Sequence, residues 1–133
     1  MALDIGDKRI GIALSDPLKI TAQGLTTLNR ITLEKDIGYI CDLLNQYEVS
    51  ELVVGLPKNM NGTIGPQVEK VKEFVNSLLQ KKQIKVSYVD ERLSTVTAER
   101  TLIAGDLSRK KRKNFVDKLA ATVILQSYLD RVK

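Results

Sequence analysis

LDIGDKRIGIALSD, residues Leu3 to Asp16, reads as a strand, a tight turn and a returning strand. Leu3 and Ile5 flank a carboxylate, Asp4, on what the pattern makes a core strand. A lone carboxylate there carries a desolvation penalty unless something pairs with it, and a metal ion is one such partner. Gly6 lets the backbone turn, and Ile10-Gly11-Ile12-Ala13-Leu14 brings it back. An acid at the centre of a sheet beside a glycine turn is a common opening among phosphate-handling enzymes.

Working outward, the first three strands are expected at about 2–6, 9–15 and 20–28, with Asp16-Pro17 marking the second turn. A helix is expected over about 33–47, capped by Thr32. Its apolar positions are Leu33, Ile37, Ile40, Cys41, Leu44 and Tyr47. Glu51 to Leu56 contains the continuous apolar run of a strand buried on both faces. The polar loop PKNMNGTIG leads to a helix at about 66–82 with Val68, Val71, Val75, Leu78 and Leu79 as its buried stripe. A strand follows at about 84–89, then a helix capped by Ser94 that ends before Gly105, a basic loop, and a last helix at about 114–131.

The order βββαβαβαα predicts an α/β fold, a mixed sheet covered by helices in one domain over residues 1–133. Helical crossovers make the later strands parallel. With the first strand beside the fourth, Asp4, the PKNMNG loop and Asp90-Glu91-Arg92 all follow carboxyl ends that open on one crevice, where α/β sheets bind ligands.

The composition restricts the chemistry. Histidine is absent and Cys41 is the one cysteine. That excludes Ser-His-Asp and Cys-His catalysis and ordinary zinc sites. A catalytic metal would be held by oxygen, which suits Mg2+ or Mn2+. Cys41 reads as a small hydrophobe on a helix face. The lone cysteine and the lack of a secretory signal predict a cytoplasmic setting. No apolar run is long enough to span a membrane.

The net charge of +5 is local. Arg109, Lys110, Lys111, Arg112 and Lys113 carry it, since the other 16 basic residues are balanced by 16 acidic ones. Such a cluster suits a nucleic-acid backbone. The expectation is an exposed loop that binds phosphate without reading sequence, tested by replacing Lys110, Lys111 and Lys113 with serine.

Three acids are candidate catalytic and metal-binding residues: Asp4, Glu91 beside Asp90, and Asp117. Asp117 shares a helical stripe with Ala121, Ile124 and Tyr128, away from the polar face of Lys118, Thr122, Gln126 and Asp130. Small Ala120 and Ala121 would let that helix approach the sheet. Carboxylates around hard cations suit two-metal phosphodiester hydrolysis, which needs no histidine. Lys8, Arg9, Lys58, Asn59 and Arg92 are candidates to hold substrate phosphates.

LDIGDKRIGIALSDP, VVGLPKNMNGTIGP, VDERLSTVTAERTL, SRKKRK and VDKLAATVILQSYL, in that order, resemble the YqgF/RuvX family of pre-ribosomal RNA nucleases, also described as Holliday junction resolvases. The resemblance covers nearly the whole chain. It implies a ribonuclease H-like fold with a five-stranded sheet ordered 3-2-1-4-5 and a RuvC-like acidic site of Asp4, Glu91 and Asp117. It also implies a nuclease acting on the 5′ end of the 16S ribosomal RNA precursor, or on branched DNA in recombination. Ribosomal precursor particles are the implied partners, with the protein as monomer or homodimer. The family commonly has an acid where this chain has Asn61, which counts against a metal ligand from that loop. Only Met1-Ala2-Leu3 precedes Asp4, fewer residues than relatives usually carry, so the first strand is expected to be short or the start to lie upstream.

Two other classes are distinguishable. An actin-like ATPase opens with a similar Asp-x-Gly but closes two such domains over nucleotide, and calorimetry with ATP tests it. A non-catalytic nucleic-acid-binding factor would use the basic and PKNMNG loops, and a nuclease assay with an Asp4→Asn control tests that.

Overall fold

The computed structural model describes residues 1–16, 21–56, 66–90 and 109–131, with the backbone alone at 66, 90, 109–117 and 131. Its strands are β1 (Ala2–Ile5), β2 (Arg9–Ser15), β3 (Ala22–Asn29), β4 (Glu51–Leu56) and β5 (Lys85–Asp90). The helices among the described residues are α1 (Leu33–Gln46), α2 (Pro66–Lys81) and α3 (Arg109–Arg131). The sheet is ordered β3-β2-β1-β4-β5, as expected. β1, β2 and β3 form an antiparallel meander, while β1 with β4 and β4 with β5 are parallel. The helix expected over 94–104 falls outside the described residues.

Side chains alternate across a strand, and that alternation sorts the core into two layers. On one face Leu3, Ile5, Ile10, Ile12, Leu52 and Val54 pack against Ile37, Ile40 and Leu44 of α1 and Val71, Phe74, Val75 and Leu78 of α2. On the other face Ala2, Ala13, Val53 and Val89 pack against Ala121, Ile124, Leu125 and Leu129 of α3. Cys41 packs against the first layer, and burial raises its thiol pKa. Thr32 caps α1 by accepting the Lys35 N–H at 3.2 Å.

Two apolar positions expected in the α1 core stripe are on the surface instead: Leu33 is 47% exposed and Tyr47 39%. They are the first residue of the helix and its C-cap, where the stripe runs beyond the sheet. Phe74, 2% exposed, completes the α2 stripe.

The last helix begins at Arg109, not near residue 114 after a basic loop. Lysine and arginine are good helix formers. A helix already anchored by Ala120 through Leu129 extends through them at the cost of one residue per hydrogen bond.

Polar contacts fix the direction of α3. Gln126 Oε1 accepts the Ala22 N–H at 2.9 Å, at the start of β3. Tyr128 donates to the Glu51 carboxylate at the start of β4. Lys118 and Thr122 lie against Gly24, where a Cβ would stand 2.7 Å from Lys118 Cγ and 3.2 Å from Thr122 Oγ1. The face read as polar from sequence is therefore packed along β3. The register shift between Ile12 and Ala13 lies beside this contact, where Thr26 and Gly24 are successive partners and Leu25 is the extra residue. α3 thus runs from the carboxyl ends of β1, β3, β4 and β5 back to their beginnings.

Burial opposes ionisation of Glu51. The hydrogen bond from Tyr128, the Lys85 ammonium and the hydrogen bond from Ser87 outweigh it and hold the carboxyl below its ordinary pKa of 4.5. The stability this supplies is present above the ordinary value and is lost as pH falls through the lowered one. Glu51→Gln should therefore lower the melting temperature most at neutral pH and converge with wild type as pH falls below about 4.5, which flattens the acid limb, in thermal unfolding followed across pH.

Candidate active site

Leu3 and Ile5 enter the α1–α2 layer, so Asp4 stands on the α3 face with Ala2. Its register partner in β2 is Gly11. In β4, Ala2 pairs with Val53 and Leu3 with Val54, so the next position of that register beside Asp4 is Gly55. Neither neighbour brings a side chain onto this face. The half-buried carboxylate lies between two buried glycines of the neighbouring strands.

Past Asp4 the chain turns at Gly6, whose N–H donates to Arg9 O at 2.9 Å. A Cβ on Gly6 would stand 2.9 Å from that oxygen, so the turn closes only with glycine. It carries Lys8, exposed, and Arg9, half-buried, at the carboxyl end of β1.

The carboxyl ends of β4 and β5 lie at the same edge, with Leu56 opposite Asp90. Glu91, the next residue, lies outside the described residues, as do Lys58, Asn59 and Arg92.

Position 117 can be placed from its helix. Ala121 shares a cluster with Ala2. Four residues back along α3 is about 6 Å toward the helix N-terminus. Two residues forward along β1, from Ala2 to Asp4, is about 6.6 Å in the same direction. Both steps run toward the carboxyl end of β1. Helical spacing puts position 117 on the stripe of Ala120, Ala121, Ile124 and Tyr128, of which the two alanines are fully buried.

Arg109 to Lys113 form the first five residues of this helix and point its N-terminus past the same edge. Five consecutive residues span more than a full turn, so positions 109–113 form a collar of the helix backbone and not a stripe. It sits at the positive end of the helix dipole, where cations repel and an anion is welcomed.

Donor chemistry fits a hard cation. Asp4 offers oxygen, and the sequence holds no histidine. Among the described residues no group of three potential ligands forms, since Asp4 is the one candidate acid whose side chain they include.

Sequence reasoning missed Arg30 and Asp36. Asp36 is 2% exposed and pairs with Arg30 at 3.1 Å. The available signal was its helical spacing from Ile40, Leu43 and Leu44, the kind of acid on an apolar stripe that drew attention to Asp117.

A family model described as "RuvX: Holliday junction resolvase" matches residues 1–131. A protein of Desulforamulus reducens named "Putative pre-16S rRNA nuclease" is 54% identical over 130 residues, covering 98% of this chain and 95% of the relative. One of the same name from Clostridium tetani is 54% identical over 132 residues, covering 99% and 96%. Among solved structures, T. thermophilus RuvC in complex with Holliday junction substrate superposes with a TM-score of 0.57 at 14% identity, covering 98% of this chain and 92% of that one. The fowlpox virus Holliday junction resolvase gives 0.54 at 16% identity, covering 98% and 96%. At those identities the structures establish the ribonuclease H-like fold. No helix among the described residues is long and apolar enough to cross a membrane.

Proposed function

The chain belongs to the RuvX family, and from that membership and the geometry around Asp4 we propose a metal-dependent nuclease that hydrolyses phosphodiester bonds in the precursor of 16S ribosomal RNA, at its 5′ end. The names of its relatives support the RNA substrate. The observation that carries the chemistry is the glycine-flanked carboxylate of Asp4 on the α3 face.

In this reading Asp4, Glu91 and Asp117 hold one or two divalent cations, Mg2+ or Mn2+. Bound there, the cations supply Lewis acidity to the attacked phosphate and to the attacking and leaving oxygens. The chain's own residues bind and orient. The three carboxylates fix the acidic centre on one face of the sheet. Lys8 and Arg9 on the β1–β2 turn, with Lys58, Asn59 and Arg92, hold phosphates flanking the scissile bond and balance charge that develops there. Arg109 to Lys113 anchor the backbone further along. The expected setting is the cytoplasm, with ribosomal precursor particles as partners.

One preparation should be offered precursor ribosomal RNA, unrelated linear RNA and a four-way DNA junction, each with Mg2+, with Mn2+ and with EDTA. Cleavage of the precursor that disappears in EDTA is the expected result. Preferential cleavage of the junction would favour the second reading, a resolvase of branched DNA, for which the family description speaks. Binding without cleavage of any substrate would leave a non-catalytic factor.

A further inference from the structure

We propose that Arg30 is a positioning residue that fixes the carboxyl end of β1, and with it Asp4, by clamping the β1–β2 turn to both helices of the opposite layer. The proposal rests on the catalytic reading of Asp4. Arg30 leaves the end of β3 and reaches in three directions. Its Nη1 donates to Gly6 O at 2.9 Å, two residues beyond Asp4. Its Nε donates to Asp36 Oδ2 of α1 at 3.1 Å. Its guanidinium lies 5.2 Å from the ring centroid of Phe74 in α2. The main chain adds a fourth tie, from Arg30 N–H to Lys8 O at 2.9 Å.

Asp36 holds the clamp still. It is the one charged side chain buried among the described residues, at 2% exposure. Its second oxygen accepts the Ile31 N–H at 3.0 Å, so the residues on either side of the Arg30–Ile31 bond are fixed by one carboxylate. Thr32 already caps α1, so the pair is not needed to start the helix. What the guanidinium adds is a planar fork that reaches a carboxylate and a carbonyl at once, which a lysine ammonium lacks. Gly6 and Lys8 are thereby held from the face opposite Asp4. Side chains that orient a metal-binding group commonly control affinity and rate without touching the metal.

The test uses Arg30→Lys, which keeps the charge opposite Asp36 but not the fork, and the double variant Arg30→Met/Asp36→Asn. The second leaves no buried charge unpaired and keeps an acceptor for Ile31. Three readouts apply to the full chain: amide hydrogen exchange over residues 4–9, Mn2+ affinity without substrate, and kcat and KM on the cleaved nucleic acid. Faster exchange at the turn is expected, with Mn2+ affinity and kcat each lowered about 10–100-fold and KM within about twofold. Raised Mn2+ should recover part of the rate. Folded variants with wild-type Mn2+ affinity and kcat would overturn the proposal. An Asp4→Asn control separates the two failures. If it is inactive while the Arg30 variants are normal, the clamp alone falls. If it cleaves and binds Mn2+ like wild type, the catalytic reading falls and the proposal with it.

Discussion

Asp4→Asn should lower the single-turnover cleavage rate by about 10^3-fold or more, a loss of about 4 kcal/mol of transition-state stabilisation at 1.36 kcal/mol per decade. The substitution keeps shape and removes charge. On the α3 face Asp4 has glycine as its β2 partner, so no described neighbour in that register can substitute as a ligand. The fold should survive, because the amide has the shape of the carboxylate it replaces and leaves the core layers on both sides untouched. Rate and melting temperature, measured on one preparation, give the check. A dead enzyme that still melts cooperatively is expected, and wild-type cleavage by the variant would remove Asp4 from the chemistry. Glu91→Gln and Asp117→Asn should behave in the same way.

The second large effect concerns the collar at the head of α3. Because Lys110, Lys111 and Lys113 are helical, the suitable replacement is glutamine, a good helix former, and not serine. Removing one lysine–phosphate pairing should flatten log K against log salt by about 0.7–0.9, so the triple variant should lose about two to three in slope if all three lysines touch the backbone. Affinity should fall for all sequences alike. Stability should move the other way. Cations at the positive end of a helix dipole repel it, so the free variant should melt higher than wild type while binding less nucleic acid. Equal salt slopes in the two proteins would remove these lysines from the interface.

Period and parity made most of the fold legible. Alternation in LDIGDKRIGIALSD fixed β1 and β2, the apolar run Leu52-Val53-Val54 fixed a strand covered on both sides, and Thr32 gave the start of α1. The start of α3 was not legible, because two local rules conflict over Arg109 to Lys113. Repulsion within a like-charged run argues for a loop, helix propensity argues for continuation, and only packing further along the chain decides. The clamp was hidden for a different reason. Arg30 reads as an ordinary surface residue after a strand, and its partners Gly6, Asp36 and Phe74 come from three other elements. Asp4, by contrast, announces itself locally, as a charge between two core residues.

The division of the sheet into two layers also makes the enzyme self-checking as it folds. Because Leu3 and Asp4 face opposite sides, a chain that pairs β1 one residue out of step would send the acid into the greasy compartment of Ile40 and Phe74 and present leucine to the substrate. Such a molecule would be inactive and unstable for the same reason. Fold and chemistry are therefore checked by one register: a chain out of step would lose its core packing and its candidate acid together.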